Sequence, residues 1–268
     1  MRIDLIALDI DGTLLDPAEH VSVRNRRAIR RALDAGVRVV LVTGRGVDLP
    51  MRLSRELGLH LPAICCHGAL VRDFGANRTL GHWPLPLEDA RAIVGFAERE
   101  RLAVTVYADD AFWHRADGGC DHLHMLGPAW RELASFDEIL DREPTFIRFL
   151  GERSVTAMRR EFGDRPLSFR YERWADVTEC AVLSRQASKR NALARLCADF
   201  QIAPERVLAI GDSPNDLPML RWAGIGVAMG NAPREVKEAV QHITAGNTAD
   251  GVAQAIDRFV PTAVRRPA

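Results

Sequence analysis

Short continuous apolar runs recur in both outer thirds of the chain, each closing on acidic, hydroxyl or glycine residues. Leu5-Ile6-Ala7-Leu8 runs into Asp9-Ile10-Asp11-Gly12-Thr13, Val37 to Val42 runs into Thr43-Gly44-Arg45, and Val207-Leu208-Ala209-Ile210 runs into Gly211-Asp212. Runs of this kind suit strands buried on both faces of a parallel sheet. Apolar residues at helical spacing predict helices over 23–35, 47–57, 188–200, 217–223 and 233–240, with further short strands at 63–66 and 225–228. Strands alternating with helices predict an α/β fold with a doubly wound, mainly parallel sheet. Ligands of such sheets bind at the carboxyl ends of the strands, where the acidic and hydroxyl residues lie.

The middle of the chain has a different rhythm. A loop rich in Gly, Pro and polar residues is predicted over 73–86, then a helix over 87–100. Strands are predicted at 102–107, 112–114, 145–150, 167–171 and 177–183, with helices at 130–135 and 154–162. Leu167-Ser168-Phe169-Arg170-Tyr171 alternates, as a strand with one solvated face does. Residues 83–184 are therefore expected to form a separate α+β domain inserted into a core of 1–82 and 185–268.

The charge balance changes the list of partners. Lys plus Arg (36) equals Asp plus Glu (36), so no global field draws the chain to nucleic acid or an anionic membrane. A small-molecule partner is the default, with a monomer or small homo-oligomer expected. Five cysteines, an odd count without CxxC spacing, point to a reducing compartment. Asp4, Asp9 and Asp11 interrupt any signal-peptide core, and no run approaches the ~20 apolar residues of a membrane span. The expected location is cytoplasmic.

Four clusters carry candidate chemistry: Asp9 with Asp11, Thr43-Gly44-Arg45, Lys189, and Gly211-Asp212-Ser213-Pro214-Asn215-Asp216. Each alone also fits an ordinary turn or a solvated helix start. Together they suit phosphoryl transfer. Carboxylates crowded at one sheet edge raise each other's pKa unless a cation sits among them. A hard divalent ion with oxygen ligands, Mg²⁺, answers that need. Asp9 can attack phosphorus, and Asp11, two residues along the same strand exit, points to the same side for acid and base work. Thr43 offers a hydroxyl and Lys189 a point charge to phosphoryl oxygens.

The four clusters resemble, in order, the four motifs of the haloacid dehalogenase superfamily of phosphatases. The tail Gly226-Val227-Ala228-Met229-Gly230-Asn231-Ala232, with Val236-Lys237 and Asp250-Gly251-Val252, is similar to the Cof-type branch, which carries a large α/β cap between the second and third motifs. The resemblance implies a Mg²⁺-dependent phosphatase of small phosphorylated metabolites: sugar phosphates, or nucleotide- or cofactor-related phosphates. It implies Asp9 as nucleophile and metal ligand, Asp11 as acid/base that also ligates metal through its carbonyl, and Asp212 and Asp216 at the metal. Thr43 and Lys189 would bind phosphate, with Gly44, Arg45 and Asn215 beside it. The implied cap closes over the site and selects the substrate.

The chain departs from the pattern in three places. His67-Gly68-Ala69 stands where the family commonly has Asn-Gly-Ala, and His67 is either a substrate contact or a strand-end histidine satisfied by backbone. Gln186 and Arg190 stand where relatives often have glycines around the lysine, and Arg190 is read as a solvated helix residue. In the inserted domain His114, Arg148, Arg170 and Glu172 either face substrate or form the solvated face of the sheet, the second being the expectation. Trp113, Trp130 and Trp174 line a pocket or fill a core.

Other classes of function leave different marks. A receiver-type signalling domain also forms an aspartyl-phosphate, but needs half the length and no inserted domain. A phosphosugar mutase or phosphotransferase uses the same residues and differs in its acceptor. A silent binding module has no need of the complete set. A nicotinamide-binding protein would show G-x-G-x-x-G after the first strand, which is absent.

Overall fold

A computed structural model describes residues 2–115, 129–174 (Trp174 by its backbone) and 177–260; Cys120 and the Trp174 side chain lie outside them. The chain divides into two compact units. The first holds the chain up to Arg45, Leu49–Leu80 and the part from Ser188, and the second holds Gly46–Asp48 with Gly81–Ala187.

Along the chain the first unit opens with β1 (Leu5–Leu8), α1 (Val23–Asp34), β2 (Arg38–Leu41), α2 (Asp48–Leu57), β3 (Ala63–Cys65), β4 (Leu70–Asp73) and β5 (Arg78–His82). The second contains α3 (Leu87–Arg99), β6 (Val104–Ala108), β7 (Ala111–Arg115), β8 (Trp130–Leu133), β9 (Phe146–Leu150), α4 (Glu152–Phe162), β10 (Leu167–Trp174) and β11 (Val177–Ser184). The first unit resumes with α5 (Lys189–Asp199), β12 (Val207–Gly211), α6 (Leu217–Trp222), β13 (Ile225–Ala228), α7 (Arg234–Glu238), β14 (His242–Ile243) and α8 (Gly251–Phe259).

In the first unit five strands form one sheet in the order β14-β13-β12-β1-β2, every pairing parallel. The central strands β1 and β12 are buried at every position, as their unbroken apolar runs require. Chain reversal between β1 and β12 puts the switch point of the sheet at the carboxyl ends of these two strands. Strands β3, β4 and β5 form a small second sheet, tied to the first by a parallel bridge from Ile64 to Val42.

In the second unit six strands run in the order β10-β11-β9-β6-β7-β8. Val104, Val106, Ile147, Phe149, Cys180 and Val182 on one sheet face pack with Ile93, Ala97, Val155, Met158 and Phe162 of α3 and α4. This is an α+β layer with its helices on one side.

Three expectations are corrected. Residues 130–133 form β8, not a helix: Phe112 pairs with Trp130 and His114 with Glu132, and Trp130 stacks on Phe112. Cross-strand aromatic packing overrides the local pattern. Within 73–86, Arg78–His82 is a strand; it is mostly exposed and polar, so it carries no apolar alternation. Arg148 is not solvated: it is 7% exposed, paired with buried Glu179 and set over the Phe112 ring. Helix α8, for which the sequence offered only the motif at its start, packs mainly against α1.

That helix shows how a buried polar residue orders the fold. The N–H groups of a helix's first turn have no partner inside the helix. Asp250 before α8 is left-handed, at φ 56°, and supplies no capping side chain. Asn25, fully buried on α1, instead accepts from the Ala253 N–H at 2.9 Å. Asn25→Ala is expected to lose about 1–2 kcal/mol, the usual worth of a cap, as a lower urea midpoint with unchanged slope. A midpoint equal to wild type would show that α8 is held by its apolar face alone.

Candidate active site

The sheet ends bring the candidate residues together in a defined order. Asp9 follows β1 directly and is 3% exposed. Residues 10–14 form a wide turn rather than a continuation of the strand, with Gly12 at φ 72°. A Cβ there would come within 2.3 Å of Asp212 Oδ2, so only glycine lets this turn lie against the end of β12. The turn is pinned twice more: Thr13 Oγ1 donates to Asp212 Oδ1 at 3.0 Å, and Asn231 Nδ2 donates to the Gly12 carbonyl at 2.7 Å.

Lys189 is the first residue of α5, behind the N-cap Ser188 that accepts from the Asn191 N–H. Its side chain is 3% exposed, and Nζ donates to Asp9 Oδ1 and Asp216 Oδ1, both at 2.7 Å. Asp216 is wholly buried; its other oxygen accepts from the Asp212 and Ser213 N–H groups and from Ser213 Oγ at 3.0–3.1 Å. The same Ser213 hydroxyl donates to Asn215 Oδ1 at 2.9 Å.

Carboxylate oxygens of Asp9, Asp212 and Asp216 lie within 4.8 Å of one another. Burial, then the Asp216 charge, pushes the Asp9 carboxyl well above the usual range, and the Lys189 ammonium only partly offsets them. Burial and Asp216 raise Asp212 to about 6. For Lys189 burial acts downward, yet Asp216 and Asp9 outweigh it and hold the amine charged. With all three ionised, three carboxylates against one ammonium would leave two negative charges uncompensated, and the donors are hard oxygens. That set fits a divalent cation of the Mg²⁺ type.

The second cluster sits beside the first. Thr43 is fully buried, and its Oγ1 accepts from the Arg45 N–H at 3.0 Å. The His67 N–H donates to the Thr43 carbonyl at 3.0 Å, and the Cys66 N–H to the Arg45 carbonyl at 2.8 Å. Cys66, His67 and Gly68 are successively left-handed, at φ 53°, 55° and 93°. Such a run in non-glycine residues stores strain, which is retained where the surroundings fix it. A Cβ on Gly44 would meet the His67 ring at 2.4 Å, so the buried imidazole lies hard against that glycine. A Cβ on Gly68 would meet the Ser188 carbonyl carbon at 2.2 Å, so this turn abuts the backbone that launches Lys189.

Asp11 stands apart. Strand alternation does not place it, because β1 ends at Leu8 and Asp11 lies within the turn. Its carboxylate does not join the three clustered ones; it receives Arg45 Nε at 3.1 Å on both oxygens and Nη2 at 2.6 Å on Oδ1. Arg190 is exposed, as the sequence suggested. Four residues of the site carried no sequence assignment: Thr13, Glu19, Gly68 and Asn231. Thr13, Gly68 and Asn231 lie inside quoted motifs, and that adjacency was the available signal.

Comparison with known proteins shows the family of the chain. A family model for haloacid dehalogenase-like hydrolases matches residues 6–256. A pyridoxal phosphate phosphatase of Escherichia coli is 30% identical, the match covering 96% of this chain and 98% of the relative. A Bacillus subtilis phosphatase of 5-amino-6-(5-phospho-D-ribitylamino)uracil is 32% identical over 96% of each chain. A haloacid dehalogenase-like hydrolase structure from Bacteroides thetaiotaomicron is 28% identical with a TM-score of 0.85, covering 96% of this chain and 99% of that one.

Two glycine substitutions separate strain from collision. Gly36 has φ 80° with nothing within 4 Å of an added Cβ, so Gly36→Ala carries the left-handed cost alone, about 1 kcal/mol. Gly68→Ala adds a clash with backbone and is expected to lose several kcal/mol, above about 3, in chemical denaturation. Equal losses in the two variants would remove the argument that Gly68 seats the Lys189 segment.

Proposed function

The chain belongs to the haloacid dehalogenase-like hydrolases, in their Cof-type branch, and from that premise we propose that it hydrolyses a small phosphorylated metabolite through an aspartyl-phosphate on Asp9. Its class of activity is that of a phosphoric monoester hydrolase. Relatives named for pyridoxal phosphate and for a ribitylamino-uracil phosphate favour a cofactor- or nucleotide-related monoester as the substrate class. The observation that carries the reading is Lys189 bridging Asp9 and Asp216 beside Asp212, at the switch point of the sheet.

In this reading an Asp9 carboxylate oxygen forms a bond to phosphorus as the bond from phosphorus to the ester oxygen breaks. The bonding pair stays on the ester oxygen, and Asp11 supplies the proton that makes it an alcohol. Asp11, now a carboxylate, takes a proton from water as that water attacks phosphorus and frees Asp9 and inorganic phosphate. Lys189 holds the Asp9 oxygen in a fixed direction and places positive charge beside the phosphoryl oxygens. The Thr43 hydroxyl donates to one of them, and Gly44, Arg45, His67 and Asn215 border the substrate. Asp9, Asp212 and Asp216, with the Asp11 carbonyl, would hold Mg²⁺, which when bound neutralises charge on the phosphoryl group. The same reading takes 83–184 as the inserted cap of the family. Among the described residues no helix is long and apolar enough to cross a membrane.

Phosphate release from a panel of phosphorylated metabolites tests the proposal. Mg²⁺ is expected to be required, EDTA to abolish turnover, and Asp9→Asn to lower kcat at least about a thousandfold. Loss of a charged ligand should also weaken the rise in Tm on adding Mg²⁺ in Asp212→Asn. Turnover that survives both EDTA and Asp9→Asn would overturn the mechanism.

A further inference from the structure

One element of the site is held by a residue that no motif contains. Glu19 lies in the loop after the Asp11 turn and has φ 58°, an uncommon conformation outside glycine. The loop is closed by its own hydrogen bonds: Asp16 Oδ1 accepts from the Ala18 and His20 N–H groups at 2.9 Å, and the Glu19 N–H donates to the Asp16 carbonyl at 2.9 Å. These bonds hold the loop compact and offset the left-handed cost at Glu19. The Glu19 side chain then receives Arg45 Nη2 on Oε1 at 2.8 Å. That same Nη2 also donates to Asp11 Oδ1 at 2.6 Å, while Nε spans both Asp11 oxygens.

The guanidinium therefore lies between two carboxylates, and its plane dictates the plane of the Asp11 carboxylate that it grips at both oxygens. An arginine head sits on a long rotatable stem, and each added contact narrows the directions it can take. The Arg45 N–H is fixed by Thr43 Oγ1 at one end, and Glu19 fixes the head at the other. We propose that Glu19 is a positioning residue: it orients Arg45, and through Arg45 the Asp11 carboxyl, for proton transfer at the ester oxygen. This rests on the reading of Asp11 as acid and base. Glu19 touches no reacting atom in it. The Glu19 side chain is 54% exposed, so the pair is weak and screened by salt, and the effect on rate is modest.

A misdirected general acid slows loss of a poor leaving group and spares a good one, which needs no proton. Single-turnover release of the leaving group isolates this step from hydrolysis of the aspartyl-phosphate. For Glu19→Ala at low salt, release from a primary alkyl phosphate that the wild-type protein hydrolyses is expected to fall about three- to fivefold. Release from p-nitrophenyl phosphate, and KM for both, should stay at wild-type values. Glu19→Gln keeps the Oε1 acceptor and is expected to recover most of the loss. Asp11→Asn serves as the reference, with a much larger loss on the alkyl ester than on the nitrophenyl ester. If Asp11→Asn behaves so but Glu19→Ala matches wild type on the alkyl ester, or slows both esters equally, the role of Glu19 is overturned and that of Asp11 stands. If Asp11→Asn shows no such split, the assignment of Asp11 fails, and that of Glu19 with it.

Discussion

A lysine ammonium with 3% of its side chain exposed, gripped at 2.7 Å by two buried aspartates, is the contact around which the rest of the site is arranged. A charge taken out of water costs several kcal/mol unless partners of good geometry surround it. Lys189 has Asp9 from the end of β1 and Asp216 from the turn after β12, two neighbouring central strands. The pair of strands cannot shift register without parting the lysine from one partner and leaving a buried charge exposed to low dielectric. The ionic contact thus acts as a register lock on the parallel sheet.

Satisfying that lock dictates the odd backbone nearby. Asp216 can aim one oxygen at Lys189 because its other oxygen is held by the Asp212 and Ser213 N–H groups, which requires the tight turn that Pro214 opens. Lys189 can reach inward because its helix starts against the Gly68 turn, where no Cβ would fit. Cys66 and His67 share that left-handed run, and its strain is borne by bonds to the Thr43 and Arg45 carbonyls. Each distortion is local, yet each is fixed by the same requirement: bring helix start, strand end and turn within reach of one ammonium group.

Much of this was legible in the sequence because the strands are short apolar runs with polar ends. β1, β12 and β13 carry their residues in that form, and the positions of Asp9, Thr43, Lys189 and Asp212 follow from the strand and helix ends they occupy. What failed had a physical reason in each case. β5 is exposed and polar, so no periodicity marks it. β8 is set by stacking of Trp130 on Phe112, a cross-strand contact that no local window contains. Arg148 looked like a solvated strand residue because its neutralising partner, Glu179, is distant in sequence. Glu19 was invisible because what sets it apart is a loop conformation and one ion pair.

The two acids of the first motif are separated electrically although only one residue divides them. Asp9 shares its surroundings with two further carboxylates and one ammonium, in a buried setting where burial and Asp216 push its proton affinity up. Asp11 has left that group and lies against a guanidinium, where desolvation of Arg45 is outweighed by the Asp11 and Glu19 charges and the arginine stays charged. Carboxyls of one chemistry take on two roles when their environments are pushed apart. The divider here is the turn over residues 10–14, which leaves the strand path after Asp9; the Asp11 side chain lies against Arg45, and Gly12 brings the turn against Asp212. A β-strand continuing through Asp11 would have pointed both acids to one side, and the site would then have four carboxylates to neutralise with one lysine. The turn lowers that load to three and leaves the fourth acid to a cation of its own.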